Sequence, residues 1–354
     1  MPELTAGEAL LQAADPLAEW ITEQQYIRQP DLMDRFGASG RIRTKMDSLY
    51  SLNYLAESVL VRSPVLFTHY VSWLKLLLEG YKVTGEDLRV NLTAMREAIE
   101  VQFQHEDKDI VLEYLDLGMN QALKTVISRP FITDDNPLKE EAGAYLQALL
   151  GGERRKASQL IHRLLERDIK VRALYKYIFQ VTQYEIGRLW HTGEINVAQE
   201  HFCTAATQSI ISGLYPHWLG TGTKGLRLVA ACVGEELHEI GLRMVADMFE
   251  MEGWDTYYLG ANVPDSSLLK AIVEHRADVV AISATMTFHI HLVRDLIAAI
   301  RRSPETARVK IMVGGLPFNV DPDLWKEVGA DGCAPDAELT VREAERLVAS
   351  VSEA

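Results

Sequence analysis

The densest concentration of usable chemistry is Gly234-Glu235-Glu236-Leu237-His238-Glu239-Ile240-Gly241, directly after the apolar run Leu228 to Val233. An apolar run of that length followed by glycines and charge reads as a strand delivering a loop and then a helix. A histidine on such a loop exposes its ring. An acidic residue two positions earlier can hold one ring nitrogen and raise the basicity of the other, the arrangement a metal-bound imidazole needs. Two further turns carry polar or bare positions at the ends of apolar runs. Ala281-Ile282-Ser283-Ala284-Thr285 supplies two hydroxyls, and Val313-Gly314-Gly315-Leu316-Pro317 lacks side chains where something large could approach the backbone. Upstream, Trp190 and His191 end one helical pattern and Glu200-His201 lies in the next. Adjacent helical residues point about 100° apart, so Glu200 and His201 can both border a broad planar ligand. Taken singly, each has a plainer reading: a loop histidine, a core tryptophan, a surface Glu-His pair, a helix-end histidine in a capping contact.

The elements that would position these residues fall into three regions. Residues 1 to about 128 read as helices. Ser63-Pro64 starts one, and Leu66, Tyr70, Trp73, Leu74, Leu77 and Leu78 recur along it at helical spacing. Thr84-Gly85-Glu86-Asp87 is close to a capping box, and Val101 to Ile127 reads as a further helical stretch. Ser128 to Pro137, with two prolines, is the linker candidate. Four helical patterns follow at roughly 138–150, 153–166, 168–190 and 194–216, the signature of a four-helix bundle. From 225 onward, short β-rich runs (226–233, 255–260, 277–284, 309–315 and about 330–335) alternate with helices. That alternation predicts a doubly wound, Rossmann-like parallel sheet. The expected units are therefore 1–128, 138–217 and 225–354.

Composition narrows the classes. The 354 residues carry a formal net charge of −14, which works against binding a polyanion, so direct DNA binding is not expected. The basic run Arg41 to Lys45 reads as a solvated helix start. No apolar run approaches a membrane span, and the N-terminus shows no signal-like core, so a cytoplasmic protein is expected. The three cysteines are scattered, giving neither a zinc knuckle nor a disulfide framework. Gly220 to Gly225 fits G-x-G-x-x-G but precedes a strand, where no helix start follows to hold a pyrophosphate. No G-x-S-x-G, H-E-x-x-H or P-loop pattern occurs, and the chain is not expected to be an enzyme.

The ordered set Glu236-x-His238-x-x-Gly241, Ser283-x-Thr285 and Gly314-Gly315 resembles the cobalamin-binding domain of the methionine-synthase type. The likeness implies His238 as the ligand beneath cobalt and the serine and glycines along the nucleotide tail. Glutamate stands where methionine synthase has aspartate, and Thr285 where leucine is expected, so the tail contact there is less well matched. Trp190 with Asn196-Val197-Ala198-Gln199-Glu200-His201 resembles the cap of CarH-type light-sensing cobalamin proteins. That resemblance implies adenosylcobalamin enclosed by Trp190, Glu200 and His201, photolysis of its cobalt–carbon bond as the signal, and His191 as upper ligand afterwards. The N-terminal region, with Leu52 to Glu57 and Leu66 to Trp73, resembles photocobilins, which implies biliverdin as a second chromophore. No cysteine precedes Cys203, so a thioether to this region is excluded; His69, Tyr70, Trp73 and His105 are contact candidates by residue type only. On this reading the chain is a light sensor acting on an unidentified downstream signalling protein, with a homo-oligomer left open. The rival readings are a corrinoid methyl carrier of a methyltransferase system, with an open upper face, and the cobalamin subunit of a mutase.

Overall fold

A computed structural model describes residues 4–218 and 222–352, with side chains to Ala349. Five helices come first: α1 (Ala6–Arg28), α2 (Asp31–Leu60), α3 (Pro64–Gly80), α4 (Gly85–Gln102) and α5 (Lys108–Ala122). Thr84 and Asp87 form the capping box that starts α4. The single stretch expected over Val101 to Ile127 is in fact two pieces, because α4 runs to Gln102 and the His105 ring then accepts the Asp107 N–H, closing a turn before α5. Ser63 sits at the N-cap of α3 without capping it; its hydroxyl donates instead to Asp321, 258 residues away. Gly37 (φ +63) breaks α2, so Arg41 to Lys45 lie just beyond a helix restart, and Lys45 pairs with Asp15 and Glu19 of α1. Leu10, Leu17, Leu55, Phe67, Leu92 and Val111 centre the apolar core of this part.

The next four rods are α6 (Lys139–Leu150), α7 (Arg154–Glu166), a composite third and α10 (Val197–Ser212). The third runs as α8 (Val171–Leu174), a π-helical segment Tyr175–Gln180, and α9 (Val181–His191). Tyr145, Tyr175 and Phe179 are buried in their shared core, and their rings meet edge-on.

The remaining residues build a parallel sheet of β1 (Arg227–Cys232), β2 (Asp255–Gly260), β3 (Val279–Ser283), β4 (Lys310–Gly314) and β5 (Gly332–Cys333), in the order β2-β1-β3-β4-β5. Helices α11 (Ile240–Met251), α12 (Asp265–His275), α13 (Ile290–Arg302), α14 (Leu316–Val320), α15 (Leu324–Glu327) and α16 (Ala337–Ser352) connect and cover it. The near-continuous apolar strands follow from burial on both faces. The strand order reverses between β1 and β3, and the crevice above such a switch point is where open α/β sheets take ligands. Of the glycine run 220–225, Gly220 and Thr221 lie outside the described residues. Among the described residues no helix is long and apolar enough to cross a membrane.

Candidate cobalt-ligand site

The loop from β1 to α11 is built around one carboxylate. Glu236 is fully buried, and its two oxygens are divided between partners. Oε1 accepts the His238 backbone N–H (3.0 Å) and His238 Nδ1–H (2.5 Å). Oε2 accepts the Thr285 N–H (2.7 Å), the Met286 N–H (3.0 Å) and His289 Nδ1–H (3.1 Å). Burial by itself would raise the Glu236 pKa, but the hydrogen bonds from His238, His289 and the backbone together hold it well below the usual carboxylate range. Glu236 is therefore a fixed anion. Its neighbour Glu235 takes a left-handed backbone (φ +67), stabilised where its N–H donates to the Asn262 side chain (2.8 Å).

His238 is consequently held by one nitrogen and free at the other. Its side chain is 58% exposed although its anchor is buried. The Glu236 carboxylate raises the His238 pKa, outweighing the opposing effect of burial. With Nδ1 carrying the proton toward Glu236, Nε2 keeps its lone pair for a metal. Behind the loop, burial pushes the Cys232 thiol up to about 12, so this cysteine stays protonated and inert.

The other turns meet the same crevice. Ser283 pairs with Cys232 of β1 on one side and Gly314 of β4 on the other, so these strand ends are level. The two glycines differ. A Cβ on Gly314 would meet nothing within 4 Å, whereas one on Gly315 (φ +114) would fall 1.9 Å from the Ala284 carbonyl. Gly315 is thus needed for chain packing, and Gly314 is the position whose bareness leaves room for a ligand. The Thr285 backbone N–H serves Glu236. Gly241 lies in the first turn of α11, with open space where a Cβ would stand.

Helix α10 is tied to this loop by Gln208, which donates to Glu239 (2.9 Å); Glu239 also accepts from the Tyr258 hydroxyl and the Ala261 N–H. Glu200 is close enough for its charge to favour protonated His238. It accepts from Thr204 and from His201 Nδ1, while the His201 side chain is 75% exposed. Trp190 is half-buried at the end of α9. His191 is engaged by α3: Nε2–H donates to the Trp73 carbonyl (2.6 Å), and its ring stacks on Trp73 at 4.8 Å and 9°. Tyr70 is buried in the N-terminal core, stacked on Tyr54 and bonded to Ser51, and His105 contacts the Leu4 carbonyl. Three residues carrying this geometry escaped sequence reasoning: His289, Glu239 and Gln208. Their partners are 53, 22 and 31 residues away, beyond any local spacing rule.

One exposed imidazole oriented by a buried carboxylate, at the switch point of a parallel sheet and beneath a helical bundle, fits a corrin ring that brings its own four equatorial nitrogens. Among the described residues, no group of three or more His, Cys, Asp or Glu is arranged to hold a metal ion. Residues 226–345 match the family described as B12 binding domain, and residues 142–215 match a second family with the same description. The chain thus carries a B12-binding domain pair, and cobalamin, with its cobalt, is the cofactor these domains bind.

Among similar proteins, a dimethylamine corrinoid protein of Methanosarcina acetivorans is 29% identical over 169 residues, covering 46% of this chain and 76% of its own. A corrinoid protein of Desulfitobacterium hafniense is 23% identical over 208 residues, covering 57% of this chain and 94% of its own. The structure of the Methanosarcina barkeri monomethylamine corrinoid protein shares the fold with a TM-score of 0.53 at 21% identity, over 59% of this chain and 99% of that one.

These relatives overturn two expectations. The light-sensor reading, and with it an unidentified signalling protein as partner, gives way to the corrinoid-carrier reading. The physical reason is that sheet and bundle are common to both classes. The argument for a photoreceptor rested on Trp190, Glu200 and His201 enclosing a bulky upper ligand. Those residue types suit either upper ligand, and it is the relatives that separate the two classes.

Proposed function

We propose that this chain is a corrinoid methyl carrier: it binds cobalamin between the bundle and the sheet and presents it to methyltransferase partners. The observation that carries the reading is its similarity to dimethylamine corrinoid proteins, beside the B12-binding match over 226–345, which holds Glu236 and His238. The working units are taken as 1–128, 138–217 and 225–354. Bound cobalamin supplies the cobalt on which a methyl group is accepted and given up. The chain's own residues bind and orient it. His238 offers Nε2 from below, Glu236 fixes the tautomer, and Gly314 with Ser283 leaves and lines the space for the tail. Trp190 and Glu200 of the bundle are taken to border the upper side, which this reading leaves open for methyl transfer. His201 and Thr285 serve as rim contacts. The upper ligand in this reading is methyl and not adenosyl, and biliverdin has no part in it. The chain is a carrier, with the chemistry of methyl donation and acceptance residing in partner enzymes. The relatives' names make methylated amines the first donors to try.

The test is to load the purified chain with cobalamin, reduce it, and offer methyl iodide followed by a thiol acceptor, tracking the methyl group by isotope label. Stoichiometric uptake is expected, with release to the thiol once a corrinoid-dependent methyltransferase is added, and His238→Ala should lower the amount of cobalamin the chain retains. Protein that retains cobalamin but never takes up a methyl group would refute the carrier reading.

A further inference from the structure

Helix α3 touches both the sheet domain and the bundle, although α1 to α5 stand outside both matched regions. Its 17 residues span about 25 Å. At the sheet end, Val61 and Leu66 are buried in the same apolar cluster as Phe318 of α14. The Ser63 hydroxyl donates to Asp321, the C-cap of that helix. At the bundle end, the Trp73 carbonyl accepts His191 Nε2–H, and the two rings stack. Two turns further on, Gly80 presses on the turn after α9. A Cβ on Gly80 would stand 3.2 Å from the Thr192 carbonyl oxygen, and one on Gly193 (φ +74) would stand 3.7 Å from Gly80 Cα. The two backbones meet there with no side chain between them. The bundle's direct ties toward the sheet run instead to α11 or its ends, from Arg172 to Glu252, Tyr175 to Asp247 and Gln208 to Glu239. Arg172 and Tyr175 begin the third rod, and Gln208 lies late in α10, which runs back beside it. His191 to Gly193, between α9 and α10, are therefore at the opposite end of the bundle.

We propose that α3 is a strap that fixes this far end of the bundle to the sheet domain and so sets the room above cobalt. The end it holds is the one that carries Trp190, Glu200 and His201. With Trp73 and Gly80 in place, that end lifts only by breaking the His191 hydrogen bond and ring stack. When these contacts give way, the bundle turns about its ties to α11, and the upper face widens. The N-terminal helices thereby regulate how large a molecule reaches the cofactor. The inference rests on the carrier reading only in placing cobalamin between bundle and sheet; methyl transfer does not enter its test.

The experiment uses the full chain loaded with aquocobalamin, whose upper water is replaced either by azide or by the larger imidazole. Stopped-flow absorbance gives both rates. Their ratio reports the room above cobalt, because a change in the metal's own reactivity moves both. Trp73→Ala removes the stacked ring and should raise the imidazole-to-azide ratio roughly 2- to 12-fold, the usual strength of one aromatic pair expressed as a shift between closed and open forms. Gly80→Val forces methyl groups against the Thr192 carbonyl from an exposed helix end and should raise the ratio as well. Arg96→Ala breaks the pair with Asp116 between α4 and α5, away from both ends of α3, and should leave the ratio at the parent's value. A parent-like ratio in either folded strap variant would overturn the proposal. So would an equal rise in Arg96→Ala, since it would mean general loosening of the N-terminal helices. If Trp73→Ala fails to fold, Gly80→Val carries the test. A parent that binds cobalamin yet carries no methyl group would refute the carrier reading and leave the strap standing; a methyl-carrying chain whose ratio ignores both strap variants would do the reverse.

Discussion

Replacing Glu236 by glutamine changes one oxygen to an NH2 group and leaves the shape almost unaltered, so its effect can be worked through atom by atom. Three donors converge on Oε2 and two on Oε1. The amide therefore keeps its oxygen at the Oε2 position and turns its NH2 toward His238, leaving two donors facing a donor instead of three. His238 can relieve one conflict by changing tautomer, accepting at Nδ1 and carrying its proton on Nε2. That protonated nitrogen cannot ligate cobalt. The remaining conflict, with the His238 backbone N–H, leaves a buried donor unsatisfied at about 1–3 kcal/mol. Restoring the ligating tautomer means giving up the new hydrogen bond and facing a second N–H against the amide. We put that at about 2–3 kcal/mol, or roughly 30- to 150-fold in affinity. Absorbance titration with aquocobalamin measures the affinity, and the cobalt spectrum reports whether an imidazole is bound. Folded Glu236→Gln protein with parental affinity and an imidazole-bound spectrum would refute the argument that Glu236 selects the tautomer.

Four further substitutions separate the other features. Gly315→Ala should destabilise the fold by roughly 3–5 kcal/mol, since it combines φ +114 with a Cβ in collision with Ala284, whereas Gly314→Ala should leave the melting temperature unchanged and weaken cobalamin binding. Thermal melts with and without cofactor check both. Asp47 is raised from 3.8 to about 6, by burial against a smaller opposing effect of Arg43. Its folded state thus binds the proton more tightly than the unfolded chain, and stability falls as pH rises from about 4 through about 6. Asp47→Asn should therefore stabilise by up to about 3 kcal/mol at pH 8 and by little at pH 4, as read from urea melts at the two pH values. Tyr175→Phe deletes the 2.8 Å hydrogen bond to the buried Asp247 between bundle and α11, and should cost about 1–2 kcal/mol in the same assay.

The parts of the fold legible in sequence are those governed by local rules. The strand expected at 226–233 is Arg227–Cys232, and the one expected at 277–284 is Val279–Ser283, because strands buried on both faces leave unbroken apolar runs. The bundle helices were legible for the matching reason, helical periodicity between short loops. Within the site, the contact between Glu236 and His238 spans two residues and is written in their spacing. The partners that fix Glu236 from its far side are not, since β3 brings them in from 49 to 53 positions away. The misjudged break at Phe103 to Asp107 has a similar origin. Residues 104–109 are all polar or charged but hold no proline or glycine, and the His105 turn interrupts the helix there. The choice between sensor and carrier was beyond residue type altogether, because Trp190 and Glu200-His201 suit either upper ligand until a relative is compared.

The π-helical segment at Tyr175–Gln180 decides how one rod faces two neighbours. Before it ends, Tyr175 is keyed to Asp247 on α11, which covers the sheet; beyond it, His191 is keyed to Trp73 on α3. A π-turn accommodates about one residue more than an α-turn and so rotates everything downstream by about 100°. Straightening the rod would swing Trp190 and His191 around its axis while Tyr175 stayed docked. The widened coil thus works as a built-in angular offset, letting a single helix address the sheet at one end and the N-terminal helices at the other.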